Sequence, residues 1–546
     1  MRIASLSDFL LQRIDRSLDT NGQRQPVNRQ IYQVLREAVW SRALPVGLQL
    51  PSSRYLAREL EVSRNTVIYA YEQLISEGYL ETRTGAGTFV ADTVQDQIAD
   101  ADAVREAIQP GDAPGLSQRG ARLLGQAGVN NLQWGAFMPG IPDVTLFPNK
   151  IWSRLQNKHW RRSRAELLTY AHGGGYLPLR VAIADYLRVA RSVNCSASQV
   201  LITTGIHQSM DLVARLLGDH GERVWVEDPC YWGTRSVLQS LGMATVPIPV
   251  DAEGMLLRPQ DLLQPPRFII VTPSHQYPLG SVMSLSRRRT LLDYAAAQQA
   301  WIVEDDYDSE FRYGSRPLPS LQGMDTRNRV LYMGTFSKTM FPGLRIGYLV
   351  VPEALAPLCA TGMSELYRGG QIFTQAILAD FMTEGHFASH IRRMRLLYGE
   401  RLRLLRDAIA HHFGDSIGTS GGEAGLHLAL ALPDECDDLA ICEAAGKQGL
   451  IVRPLSRYYM EPLTARRGLM LGYASVPDKQ IGPAFAALAA IIRAHWPARA
   501  TPGQAAAELA ISGEQMCGKL APALLISGKQ IGGELAPVLV ISGKQE

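Results

Sequence analysis

Cysteine pairs, long apolar runs and lysines are all scarce in this sequence of 546 residues. The six cysteines form no CxxC pair, which argues against a zinc site and favours scattered reduced thiols. No apolar run approaches the ~18 residues needed to span a bilayer, and residues 1–18 show no signal-peptide pattern. We therefore expect a cytoplasmic protein without a membrane partner.

Lysine is informative through its position. Only eight of the 55 basic residues are lysines, and Lys338 is the single lysine between Lys158 and Lys447. A bias toward arginine explains the general scarcity but not where this exception lies. The net charge of +3 neither favours nor excludes a polyanionic partner.

Hydrophobic residues make up 46% of the chain and charged residues 20%, as in folded globular proteins. Changes in composition divide it into segments. The predicted segments are an N-terminal extension (1–27), a helical module (28–90), a linker (91–134), a large α/β domain (135–497) and a repetitive tail (498–546). The tail repeats Ile-Ser-Gly-Glu/Lys-Gln every 15 residues from Ile511, and we expect no function of its own for it.

Residues 28–90 have the pattern of three helices followed by a hairpin. Apolar residues recur at Ile31, Leu35 and Val39, and the third helix starts after Ser63. This order is typical of a winged helix-turn-helix, although a helical bundle that binds no DNA has the same periodicity. The candidate DNA contacts are Arg54, Ser63, Arg64, Asn65 and Thr66 on the helices and Gly85 and Gly87 in the hairpin.

Motifs distinguish these two interpretations. Leu50-Pro51-Ser52-Ser53-Arg54, Val62-Ser63-Arg64-Asn65-Thr66-Val67 and Gly85-Ala86-Gly87-Thr88-Phe89-Val90 resemble the GntR-type winged helix across nearly the whole module. The resemblance implies double-stranded promoter DNA as a partner.

From residue 135 to 497, apolar strand candidates alternate with helical patterns. This alternation predicts a mainly parallel sheet in an α/β domain, with a smaller C-terminal α+β part from about Phe387. Polar residues follow several of the strands: Asp305 and Tyr307, Thr335 to Lys338, and Thr204 to Gln208.

This set matches the chemical requirements of pyridoxal 5'-phosphate. The cofactor needs a lysine amine for a Schiff base, a carboxylate for the pyridinium nitrogen, and hydroxyl, arginine and helix-end groups for its phosphate. Taken singly, Asp305 is as well explained as a helix cap and Lys338 as a surface amine. Together, and in this order, they indicate a cofactor site.

The combination resembles the fold type I pyridoxal-phosphate aminotransferases over about 350 residues. The resemblance implies that Lys338 is the Schiff-base lysine, that Asp305 pairs with the pyridine nitrogen and that Tyr307 bonds the ring hydroxyl. Tyr231 would stack on the ring, and Tyr170 would reach the partner's phosphate in a head-to-tail homodimer. The implied phosphate ligands are Thr335, Ser337, Arg345, Gly205, Ile206 and His207.

The sequence departs from the aminotransferase pattern in two places. Aminotransferases usually have an asparagine near the ring hydroxyl where this chain has Ser274 to Pro278, and Gln276 is the expected substitute. The arginine for a substrate or effector carboxylate is ambiguous. Arg453 is the first choice, ahead of Arg457 and Arg467.

Both modules in one chain resemble the MocR subfamily of GntR regulators. The resemblance implies a regulator that senses pyridoxal phosphate, alone or through an external aldimine with an amino-acid-like effector. Two other readings stay open: an active aminotransferase with a DNA-binding arm, and a DNA-binding scaffold with a vestigial cofactor pocket.

Overall fold

The structure is a computed structural model that describes residues 10–14, 26–92, 115–125, 133–161, 164–170, 173–314 and 319–496. The chain divides into two compact units, residues 1–115 and 116–546. The repetitive tail and most of the expected linker lie outside the described residues. Within the described ranges, no helix is long and apolar enough to cross a membrane.

The first unit has the three helices and the antiparallel hairpin predicted from the sequence. Its elements are α1 (Val27–Trp40), α2 (Ser53–Glu59), α3 (Arg64–Ser76), β1 (Leu80–Arg83) and β2 (Gly87–Val90). Ser52 caps α2 by accepting from the Tyr55 amide, and Ser63 caps α3 by accepting from the Thr66 amide. This is a winged helix-turn-helix whose recognition helix is α3.

The core of this unit extends beyond the predicted module. Ile31, Leu35, Val67 and Leu74 are fully buried, as the helical spacing predicts. Leu10 is also fully buried in the same cluster. Part of the predicted N-terminal extension therefore belongs to the hydrophobic core of the winged helix.

A mainly parallel sheet of eight strands organises the second unit. In spatial order the strands are β3 (Val200–Thr203), β10 (Gly347–Val350), β9 (Val330–Thr335), β8 (Trp301–Asp306), β7 (Phe268–Val271), β4 (Arg223–Asp228), β5 (Ala244–Asp251) and β6 (Gly254–Met255). β10 runs antiparallel to both of its neighbours, and β6 runs antiparallel to β5. The remaining pairs are parallel.

Helices cover both faces of this sheet. Successive residues of β8, Ile302 and Val303, are fully buried in different apolar clusters, as expected for a strand covered on both faces. The helices are α4 (Gln118–Gly125), α5 (Asn149–Arg161), α6 (Leu177–Arg191), α7 (Ile206–Leu217), α8 (Trp232–Ser240), α9 (Pro259–Leu262), α10 (Leu285–Gln298), α11 (Leu321–Met324), α12 (Phe336–Thr339), α13 (Ala356–Tyr367) and α14 (Ile372–Thr383).

A smaller α+β part follows, close to where the sequence predicts it. The long helix α15 (His386–Phe413) leads into an antiparallel sheet of order β11, β12, β14, β13. Its strands are β11 (Thr419–Gly421), β12 (His427–Ala431), β13 (Arg453–Pro454) and β14 (Gly468–Gly472), and its helices are α16 (Asp438–Lys447) and α17 (Asp478–Ala494).

The parallel strands place their polar ends at one edge. β3, β4, β7, β8 and β9 all finish on the same side of the large sheet, because they run in the same direction. In open α/β sheets, ligands bind outside the carboxyl ends of the strands. The residues that follow these strands are the candidate cofactor residues of the sequence.

Candidate functional site

Lys338 lies in the short helix α12, directly after β9. Its amine donates a hydrogen bond of 2.9 Å to the carbonyl oxygen of Gly140. Burial lowers the pKa of this amine from its ordinary value, against the nearby carboxylates of Asp308 and Asp305. A lysine with a lowered pKa is suited to attack an aldehyde carbon, because the neutral amine is the nucleophile.

Asp305 is the last residue but one of β8 and lies near this lysine. Its side chain is buried, and Oδ1 has no hydrogen-bond partner among the described residues. Burial raises the pKa of Asp305 to about 7, and the carboxylates of Asp306 and Asp308 act in the same direction. A buried carboxylate oxygen without a hydrogen-bond partner is unfavourable unless a cation or a donor binds there, and a pyridinium nitrogen is such a group. The site therefore fits pyridoxal phosphate.

A second group of residues surrounds the amino end of α7. Gly205 has a φ of 125°, and a Cβ atom there would lie 3.5 Å from a guanidinium nitrogen of Arg345. This places the arginine beside the amides of Ile206 and His207, which begin the helix. Helix ends of this kind bind phosphate, because their amides and the helix dipole both favour an anion.

The hydroxyls of Thr335 and Ser337 lie at the start of α12. Thr335 Oγ1 accepts from the Ser337 amide at 3.1 Å and so caps this helical turn. Both side chains are buried. Their positions are compatible with the phosphate role predicted for them, which stays a prediction.

Tyr231 and His207 face one another across the pocket. The Tyr231 hydroxyl lies 3.2 Å from Nε2 of His207, and the ring centroids are 5.8 Å apart. Burial raises the pKa of Tyr231 to about 12, so it is a neutral ring. Burial, followed by the Arg345 guanidinium, lowers the pKa of His207. A neutral aromatic pair of this kind offers a stacking surface for a ring.

Gln276 is buried and hydrogen-bonded within its own loop and to neighbouring segments. Its Nε2 donates to the carbonyl oxygens of Pro229 and Tyr277 at 2.8 and 2.9 Å. Its Oε1 accepts from the Leu279 amide at 3.0 Å. These bonds hold the loop, and the predicted role of Gln276 at the ring hydroxyl stays a prediction. The tyrosines that face the site are Tyr277 and Tyr307, whose rings meet edge to face at 5.6 Å.

Arg453 lies nearer this site than its two alternatives. Its Nη2 lies 3.4 Å from the sulfur of Met138, two residues before Gly140. Arg467 forms an ion pair with the buried Asp438 at 3.3 Å, and Arg457 is exposed. Arg453 is half-buried and close to the segment that contacts Lys338, and its predicted pairing with a carboxylate stays a prediction.

Tyr170 lies on the surface of the second unit. Its side chain is 70% exposed, and Leu168 nearby is 56% exposed. A tyrosine that completes a neighbouring subunit's pocket has to be accessible in a single chain. Its predicted contact with the partner's phosphate stays a prediction.

The predicted DNA contacts lie at the start of α3 and in the wing. Arg64 and Asn65 are exposed, whereas the hydroxyls of Ser63 and Thr66 lie 2.8 Å apart at the cap. Arg54 is exposed on α2. Gly85 and Gly87 have φ values of 78° and 112°, which favour glycine at the tip of the hairpin.

Two residues of this surface escaped the sequence analysis. Tyr69 is 54% exposed, four residues after Asn65, and therefore lies on the same face of α3. Gln49 donates to the Ala86 carbonyl oxygen at 2.6 Å and holds the wing. Helical spacing alone would have placed Tyr69 on the same face of α3 as Asn65. Gln49 could not be found in this way, because it is 37 residues from Ala86 in the chain.

Sequence comparisons identify the families of the two units. Residues 147–488 match the family described as aminotransferase class I and II, and residues 27–90 match the gntR family of bacterial regulatory proteins. Together they define a winged-helix DNA-binding protein with an aminotransferase-type cofactor unit.

Full-length relatives narrow this class. The "Probable rhizopine catabolism regulatory protein MocR" of Rhizobium meliloti is 40% identical over 85% of this chain and 92% of its own length. The pyridoxine biosynthesis regulator PdxR of Corynebacterium glutamicum is 33% identical over 82% of this chain and 91% of its own length. The chain therefore belongs to the MocR subfamily of GntR-type regulators.

Solved structures show the same fold for the second unit. Kynurenine aminotransferase from Pyrococcus horikoshii has a TM-score of 0.61 at 24% identity, covering 72% of this chain and 99% of its own. LysN from Thermus thermophilus, an α-aminoadipate aminotransferase, has a TM-score of 0.60 at 24% identity, covering 72% and 98%. The fold is that of fold type I aminotransferases, and its cofactor is pyridoxal 5'-phosphate.

Proposed function

We propose that the chain is a transcriptional regulator that binds promoter DNA through residues 28–90 and senses pyridoxal phosphate through residues 135–497. The observation that carries this proposal is the buried carboxylate of Asp305 near the amine of Lys338, with an Oδ1 atom that has no hydrogen-bond partner among the described residues. A vestigial pocket would have no need to retain this pair. The presence of the winged helix in the same chain connects cofactor binding with DNA binding.

Each side chain of the pocket has a proposed task. Lys338 would bind the cofactor covalently, and Asp305 would pair with its pyridine nitrogen. Tyr307 would form a hydrogen bond with the ring hydroxyl, and Tyr231 would stack on the ring. The phosphate would be held by Thr335, Ser337, Arg345 and the backbone at Gly205, Ile206 and His207. When bound, the cofactor supplies an electrophilic carbon for amino compounds.

An amino-acid-like effector would enter beside Arg453. The guanidinium is half-buried and lies 3.4 Å from the sulfur of Met138, two residues before the Gly140 that contacts Lys338, and an arginine there would pair with a carboxylate. The same arrangement supports a second candidate function, an active aminotransferase with a DNA-binding arm. Conversion of an amino acid to a keto acid by the loaded protein would favour that candidate.

The regulator is proposed to act as a head-to-tail homodimer in the cytoplasm, where promoter DNA is found. The exposed Tyr170 and Leu168 support such an interface. In a dimer, the large units set the spacing of two winged helices, so cofactor occupancy can change DNA affinity. By linkage, DNA then changes cofactor affinity by the same factor.

The test measures DNA affinity of the full chain at one salt concentration, because salt alone changes such affinities. The probe is a duplex selected by the protein from a random pool. Titrations compare the cofactor-free protein, the loaded protein and the loaded protein with amino acids. We expect affinities that differ by about 1–3 kcal/mol, with no difference for Lys338→Ala. Identical affinities and footprints in all states would contradict the sensor function.

A further inference from the structure

His275 lies under the cofactor pocket with one ring nitrogen between two oxygen atoms. Nδ1 is 3.0 Å from Oδ1 of Asp308 and 2.9 Å from the hydroxyl of Tyr307. All three side chains are buried. Tyr307 is the residue assigned to the ring hydroxyl, so an inference about its neighbours rests on the proposed function.

The position of one proton decides what Tyr307 can do. A ring nitrogen carries either a hydrogen or a lone pair, but not both. If Nδ1 carries the hydrogen, it donates toward Asp308 and the oxygen of Tyr307, and the tyrosine keeps its own hydrogen for another acceptor. If Nδ1 is unprotonated, it accepts the hydrogen bond of the Tyr307 hydroxyl. It then also lies against the Asp308 carboxylate with no hydrogen between the two acceptors, which is unfavourable.

The other nitrogen of the ring favours the first arrangement. Nε2 is buried and has no hydrogen-bond partner in the described part of the chain. A hydrogen there would be an orphaned buried donor, which is rarer in proteins than an acceptor without a partner. Gly280 and Gly425 enclose the ring, since a Cβ at Gly280 would lie 3.0 Å from Nε2. The proton therefore belongs on Nδ1.

We propose that His275 and Asp308 are positioning residues that keep the Tyr307 hydroxyl free to donate to the ring oxygen of the lysine-bound cofactor. Asp308 fixes the tautomer of His275, and His275 turns the tyrosine hydrogen away from itself. The groups that face this cluster from neighbouring elements are Asp305, Glu227, Tyr277, His427 and Lys338. His427 donates from Nε2 to the Pro278 carbonyl oxygen at 3.2 Å when that nitrogen carries the hydrogen.

The predicted consequence is spectroscopic. When held by Lys338, the cofactor would supply a chromophore that titrates in the visible range, and a hydrogen bond from Tyr307 to its ring oxygen would lower the pH midpoint of that titration. Loss of this bond therefore raises the pH midpoint of the visible absorbance of the loaded protein. We expect His275→Leu in the full chain to raise the midpoint by about 1 pH unit, because the Tyr307 hydroxyl then loses the Nδ1–H bond that orients it and makes it a stronger donor. His275→Asn should restore much of the wild-type value, because its amide nitrogen can replace Nδ1–H.

A double-mutant comparison tests whether His275 acts through the tyrosine. Tyr307→Phe alone should raise the midpoint, and adding His275→Leu should then change it by less than a third of its effect in the wild-type chain. An equal shift in both backgrounds, or no shift in His275→Leu, overturns the proposal. Nitrogen-15 NMR of histidine-labelled wild-type protein shows directly which ring nitrogen of His275 carries the proton. The His275 signals are assigned by their absence in His275→Asn, so the measurement itself is made on the wild-type chain. A proton found on Nε2 in the loaded protein also overturns it.

The two proposals fail differently. If the wild-type chain gives no visible band with pyridoxal phosphate, the cofactor function fails and the role of His275 fails with it. If the band forms and its midpoint is independent of His275, only the role of His275 is wrong.

Discussion

The amine of Lys338 donates to the carbonyl oxygen of Gly140, a residue 198 positions earlier in the chain. Gly140 has a φ of 70°, and a Cβ there would lie 3.0 Å from the lysine nitrogen. The backbone at this position lies so close to the amine that a residue with a Cβ atom would crowd it. Gly140 is therefore part of the lysine's environment, although no motif marks it.

We expect Gly140→Ala to weaken cofactor loading, because the added methyl group presses on the amine and strains the backbone. Absorbance titration with pyridoxal phosphate measures the effect. The matched control is Gly385→Ala, since Gly385 has a φ of 81° and open space around it. The control should lose about 1–2 kcal/mol of stability and keep its cofactor affinity. Equal loading of both variants would contradict the role of Gly140.

Lys338→Ala should abolish the visible band of the loaded protein and its loss on borohydride reduction. The reason is that the amine supplies the nitrogen of the covalent bond. Lys158→Ala is the control, because Lys158 is a surface lysine paired with Asp380 at 2.8 Å. A reducible band that survives in Lys338→Ala would show that another amine carries the cofactor.

Asp305→Asn should stabilise the cofactor-free protein increasingly as the pH rises. Burial raises the pKa of this carboxyl to about 7, from 3.8 in the unfolded chain, so ionisation favours unfolding across that window. The gain in the free energy of unfolding of the variant over the wild-type chain is absent below about pH 3.8 and complete above about pH 7. Between pH 4.5 and pH 8 we expect it to grow by about 2–4 kcal/mol in chemical denaturation.

The same substitution should weaken cofactor binding, because the pyridinium loses its counter-charge. Asp185→Asn is the control for both measurements, since Asp185 is exposed and paired with Arg188. A variant that is neither more stable at high pH nor weaker in cofactor binding would contradict the assignment of Asp305.

Arg64→Ala should lower specific DNA affinity by about 1–3 kcal/mol if the arginine reads a base edge. Cofactor absorbance should not change. Arg36→Ala is the control, because it also removes one positive charge from this unit. Arg36 donates to the Tyr32 hydroxyl, which in turn donates to Glu77 at the end of α3 opposite to Arg64. Titration of a selected duplex at fixed salt should show a small effect for this control. Equal losses would indicate a general charge effect.

Local patterns predicted much of the cofactor site. Lys338 and the turn after Thr203 follow buried strands and Asp305 lies near the end of one. The hydrophobic pattern of the strands and the glycines and polar residues that end them are visible in the sequence. The contacts of Gln276 and His275 were not visible in the sequence, because they depend on atoms brought together across loops. Gln276 is bound by the Pro229 and Tyr277 carbonyl oxygens, and His275 meets Asp308 from 33 residues away.

The sequence by itself determined the order of elements, the winged helix and the set of groups that suit pyridoxal phosphate, because propensity, spacing and residue chemistry are local properties. Only the tertiary structure decided which groups meet. It brought Gly140 to Lys338, left Oδ1 of Asp305 without a hydrogen-bond partner in the described part of the chain, and buried Leu10 in the first core. Such contacts are fixed by the packing of distant segments, and packing depends on the whole fold rather than on any short stretch of chain.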